Sequence, residues 1–109
     1  MSKNLVNLVV FGPGVGESIV INIPNVGWGV IDSCLWKIKR QKQNPALEYL
    51  KSKHVSRLAF IILTHPHGDH FQGFDQIIGH YLGKIDRICY YSGDGLREYW
   101  AYLAKKGVL

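Results

Sequence analysis

A chain of 109 residues fits one small domain with a modest core, since folding at that size removes roughly 60 to 70 per cent of the unfolded surface from water. Hydrophobic residues at 47% and charged residues at 19% argue against a disordered or fibrous chain, and two cysteines, Cys34 and Cys89, without CxxC spacing argue against a disulfide framework or a thiolate zinc site. Thirteen Lys and Arg against eight Asp and Glu give a formal charge of +5, which favours an anionic partner or substrate, nucleic acid among them.

At the N-terminus Asn4 and Asn7 interrupt the apolar stretch, so no continuous signal-peptide core forms, and no apolar run approaches membrane-spanning length. The expectation is a cytoplasmic chain with no membrane partner. Residues 4–11 and 18–23 are rich in Val, Ile and Leu and flank Gly12, Gly14 and Gly16, which predicts two strands joined by a turn. A third strand, 29–32, follows the turn Pro24-Asn25-Val26-Gly27. A basic loop comes next, carrying Lys37, Lys39, Arg40 and Lys42 beside Trp36. Pro45 suits the first turn of a helix, and Leu47 and Leu50 fall at helical spacing within 46–53. Residues 58–63 form a nearly continuous apolar run, which predicts a strand buried on both faces. A helix over 71–82 follows, with Phe74, Ile77, Ile78 and Tyr81 as its apolar stripe. A strand over 85–91 and a helix over 95–106 come after it, with Gly107 suited to the position past the helix end. Val108 and Leu109 read as the opening of a further strand.

The chemistry concentrates in Thr64-His65-Pro66-His67-Gly68-Asp69-His70, directly after the apolar strand. Neutral imidazoles and a carboxylate are nitrogen and oxygen donors that zinc accepts, and a loop springing from a rigid strand holds them with little entropy left to lose. Two ligand pairs so close together suit two ions about 3.5 to 4 Å apart, which lower the pKa of bound water to near 7. The alternative is a set of solvated loop histidines, with Asp69 capping the helix that begins near Phe71. His54 and His80 read as loop and helix-surface residues, and Asp94 as a turn or cap residue.

The segment 60–74, FIILTHPHGDHFQGF, resembles the metal-binding strand and loop of metallo-β-lactamase-fold hydrolases. The resemblance implies that His65 and His67 bind a first metal and Asp69 and His70 a second, zinc being the usual ion and manganese or iron the alternatives. Asp69 would also orient the nucleophile. Asp32, in GVIDSC, matches the family's early strand-end Asp, which supports the metal loop from behind, although a turn-initiating Asp would look the same. The segments GVGESIVI and ALEYLKSK narrow the resemblance towards the hydrolase domain of bacterial competence DNA-uptake channel proteins and its stand-alone relatives.

The implied fold is α/β (α+β): the N-terminal half of a metallo-β-lactamase αββα sandwich, a mixed sheet with flanking helices, forming one partial domain over 1–109. The family's later His, bridging Asp and last His have no counterpart here, so the chain alone is expected to be weakly active or inactive. An uncovered inner sheet face is expected to drive homo-oligomerisation or pairing with a complementing chain. The expected function is metal-dependent hydrolysis, with phosphodiesters first and the basic residues Lys37, Lys39, Arg40 and Lys42 holding the substrate backbone. The alternatives are an inactive binding or assembly module and a thioester or lactone hydrolase.

Overall fold

The structure is a computed structural model that describes residues 5–12, 16–64, 71–90 and 96–107. Its elements in chain order are β1 (Asn7–Phe11), β2 (Ser18–Ile23), β3 (Gly27–Ile31), β4 (Trp36–Ile38), β5 (Gln41–Gln43), α1 (Pro45–Ser52), β6 (Phe60–Leu63), α2 (Phe74–His80), β7 (Ile88–Tyr90) and α3 (Leu96–Lys105). Five strands form one mixed sheet in the order β1-β2-β3-β6-β7, and β4 and β5 pair separately. The first three strands form an antiparallel meander, whereas β6 and β7 join parallel through α1 and α2. Both crossovers step in the same direction across the sheet, so crossovers of one hand place both helices on one face.

That face is the core. Val20, Val30, Ile61 and Leu63 pack against Leu47 and Leu50 of α1, Phe74, Ile77 and Ile78 of α2, Tyr81 after it, and Leu103 of α3. Every member of the apolar stripe expected of the second helix is buried. The helix itself is shorter than expected because Gly73, at φ 89, breaks the run before Phe74.

The opposite face carries Leu8 and Val10, Ile19 and Ile21, Ile31, Phe60 and Ile62, placed side by side by the strand register. Leu8 is 53% exposed and Val10 55%. The expectation of a strand buried on both faces is therefore corrected: in β6 only Ile61 and Leu63 are buried, and Phe60 and Ile62 are half-buried. No described helix packs over that side, so the apolar run is continuous in sequence while its burial alternates. The Phe60 ring lies against Gly29 instead, where a Cβ would sit 2.1 Å from its Cε2.

The basic loop is likewise corrected to a hairpin. Lys37 faces Lys42 and Ile38 faces Gln41, which leaves Lys39 and Arg40 as a two-residue connection with φ 51 and 66. Positive φ at both positions is the I′ pattern that follows strand twist, and each non-glycine residue there costs roughly 1 to 2 kcal/mol.

Candidate metal centre

The motif hangs from the C-terminal end of β6, a central strand. Thr64 is the last described residue before it and Phe71 the first after it; His65, His67, Asp69 and His70 lie outside the described residues. The flanks show how this stretch is held at both ends.

On the entry side stands Asp32, directly after β3. Its carboxylate accepts two hydrogen bonds from Thr64, one from the backbone N–H at 2.8 Å and one from Oγ1 at 2.6 Å. The Asp32 N–H donates to the Ile62 carbonyl at 2.8 Å, and its own carbonyl accepts from buried Ser18 Oγ at 2.8 Å. Asp32 adopts φ 58 and is 2% exposed. Asp is among the few residues that tolerate this left-handed backbone, and hydrogen bonds to a carboxylate are stronger than neutral ones. The contact fastens the strand-end Asp to the residue preceding His65.

On the exit side, Ser33 pairs with Phe71 in an isolated parallel bridge. Two residues later Gly73 is gripped through its backbone: its carbonyl accepts from Asn44 Nδ2 at 2.9 Å, and its N–H donates to the Tyr102 hydroxyl at 2.9 Å. Tyr102 in turn donates to Asp75 and lays its ring 4.9 Å from that of Phe71. Asn44 serves two elements, because its Oδ1 accepts from the Leu47 N–H at 3.1 Å and caps α1. A Cβ at Gly73 would lie 2.6 Å from Asn44 Nδ2 and 2.8 Å from Leu35 Cδ2, so only glycine fits. Asn44, Gly73 and Tyr102 escape sequence reasoning, since their contacts join residues 29 positions apart. The Asn44-Pro45 pair, a capping residue before an N1 proline, carries the one local signal.

Ser33 Oγ, fully buried, makes no hydrogen bond among the described residues. An orphaned hydroxyl of this kind normally costs free energy, and here it adjoins Asp32 and the Phe71 bridge at the edge of the motif. Three imidazoles and a carboxylate between two fastened ends fit a zinc-type ion by donor chemistry. Cys34 is buried, and burial first, then the Glu17 carboxylate, push its thiol above its ordinary value. His54 lies exposed in a left-handed turn after α1, and His80 is exposed at the end of α2 with its ring edge-on to Tyr81. Among the described residues, no three His, Cys, Asp or Glu side chains gather. Lys37, Lys39, Arg40 and Lys42 are exposed on the hairpin, and Asp94 lies outside the described residues.

No helix among the described residues is long and apolar enough to cross a membrane. Comparison with protein-family models, curated proteins and solved structures finds no match.

Proposed function

We propose that this chain is a metal-dependent hydrolase of the metallo-β-lactamase type, directed at phosphodiesters, with His65, His67, Asp69 and His70 as its metal ligands. The observation that carries this reading is the pair of hydrogen bonds from Thr64 to Asp32, which ties the start of the motif to the end of a neighbouring strand. Ligands on a loop fastened to strand ends lose little entropy on binding, and outer residues that orient such loops are worth about 10- to 100-fold in metal affinity.

A zinc ion held there supplies Lewis acidity and lowers the pKa of water to near 7; manganese or iron are the alternatives. Asp69 orients the attacking water towards phosphorus. Lys37, Lys39, Arg40 and Lys42 offset charge on the substrate backbone. The motif alone offers four donors for a two-ion site, so solvent or a second copy of the chain completes the coordination shell. The apolar sheet face of Leu8, Val10, Ile19 and Ile62 supports association with a second copy.

Metal content and turnover test this directly. After dialysis against zinc or manganese, the chain is expected to retain substoichiometric metal that His67→Ala loses. Metal-dependent cleavage of a bis-aryl phosphodiester by the chain alone is expected to be weak, and to be lost in Asp69→Ala. Metal content indifferent to His67→Ala would refute the site. Bound metal with cleavage of a thioester or lactone alone would move the substrate class, and bound metal with no turnover would mark a binding module.

A further inference from the structure

The charge of the chain is not spread evenly. Setting aside Lys37, Lys39, Arg40 and Lys42, the remaining nine basic residues nearly balance the eight acidic ones, so almost the whole excess of +5 sits on one hairpin. None of the four cations is in an ion pair among the described residues, where the pairs are Lys51 with Glu48 and Arg57 with Asp86. All four are exposed.

The hairpin displays this charge against its own stability. Lys37 and Lys42 stand directly opposite each other, and like charges in that position repel. Its turn places Lys39 and Arg40 in left-handed backbone where Asn and Gly would fit without strain. The neighbours in strand register, Trp36 and Gln43, lie on the other face of the ribbon, and Trp36 packs edge-on against Phe11 with centroids 6.0 Å apart. The ribbon thus rests on the body through Trp36 and turns Lys37 and Lys42 outward.

Its position follows from its anchors. One leg begins at Trp36, four residues after Asp32, which holds Thr64 at the start of the motif. The other ends at Gln43, next to Asn44, which holds Gly73 just past its end. Four residues span at most about 14 Å, so the base of the hairpin stands beside both ends of the motif stretch.

We propose that the β4–β5 hairpin is a nucleic-acid arm, with Lys37, Lys42, Lys39 and Arg40 gripping the phosphodiester backbone without regard to sequence. Localised positive charge on a protruding ribbon neutralises successive phosphates and releases their counterions. That the gripped strand is also the substrate rests on the hydrolase reading above; the grip itself needs no metal.

The test is fluorescence anisotropy of a labelled single-stranded DNA oligonucleotide with the full chain in chelator, across about 50 to 200 mM salt. Lys37→Ala/Lys42→Ala is expected to weaken binding about twentyfold near 0.1 M salt and to flatten the log–log salt slope by about 1.4, at roughly 0.7 per lost phosphate contact. Lys37→Arg/Lys42→Arg keeps the binding. Lys84→Ala/Arg87→Ala, which removes the same charge from exposed positions elsewhere, leaves it nearly unchanged. Equal losses in the two alanine pairs, or no binding by the unaltered chain, overturn the arm. Phosphodiester turnover without DNA binding overturns the arm and leaves the hydrolase standing; hairpin-dependent DNA binding without turnover or metal does the reverse.

Discussion

At the scale of single residues, the structure turns on what holds the two ends of the motif. Asp32 is singled out in the sequence through the family resemblance of GVIDSC, where a turn-initiating Asp would look the same, and the structure adds that its carboxylate accepts two hydrogen bonds from Thr64. Replacing it strands two donors on Thr64, each worth about 1 to 3 kcal/mol when buried and unmet. Thr64 is only half-buried, so Asp32→Ala is expected to cost about 2 to 4 kcal/mol in denaturant unfolding. Thr64→Val, which keeps the backbone N–H bond, should cost nearer 1 kcal/mol. If both variants lose the same small amount, the backbone bond contributes nothing and the support is not at Asp32. The exit clamp was illegible for a physical reason. Asn44, Gly73 and Tyr102 meet through backbone groups, and a side chain that bonds a distant carbonyl or N–H leaves no periodic trace. Glycine at 73 is demanded by Asn44 and Leu35, which occupy the space a Cβ would take, a contact known only once the chain is folded.

At the scale of elements, periodicity found what is locally determined and misread what neighbours decide. The apolar stripe of α2 and the Pro45 start of α1 follow from spacing and cap chemistry within one turn, and both stand. Burial of β6 does not follow from β6 alone, because a second covering layer is a property of other segments. The β4–β5 hairpin was hidden by its turn: hairpins with two-residue connections announce themselves through Asn-Gly or Asp-Gly, and Lys39-Arg40 carries the opposite chemistry. That mismatch gives an expected outcome. Lys39→Asn/Arg40→Gly relieves left-handed strain of roughly 1 to 2 kcal/mol per residue and removes two neighbouring charges, so the amides of the hairpin should exchange hydrogen more slowly. DNA affinity should fall in the same variant, since stability and binding draw on the same two positions. Unchanged exchange would mean that Lys39 and Arg40 are unstrained and that the ribbon is held by Trp36 alone.

At the scale of the whole molecule, the sheet separates two surfaces of opposite character. Phe11 lies in register with Ser18 on the helix-covered side and receives both Tyr49 of α1 and Trp36 of the hairpin, so the cationic arm belongs to that side. The other side offers Leu8, Val10, Ile19, Ile21, Ile31, Phe60 and Ile62 without a charged residue among them. Two copies meeting through these faces would bury apolar surface while keeping their hairpins apart, which removes the repulsion that a +5 chain would otherwise feel on pairing. Hydrophobic contact of this kind does not weaken with salt, whereas association bridged through the hairpin would. Sedimentation of the 109-residue chain should therefore show concentration-dependent self-association that persists at about 1 M salt, where charges are screened within about 3 Å. Leu8→Lys/Val10→Lys, on the edge strand of the open face, should shift the chain to monomer while leaving its circular dichroism unchanged, because both side chains are already more than half exposed. The Lys37→Ala/Lys42→Ala variant should associate like the unaltered protein. A chain that stays monomeric up to about millimolar concentration, or that dissociates with added salt, would show that the open face does not bind a second copy.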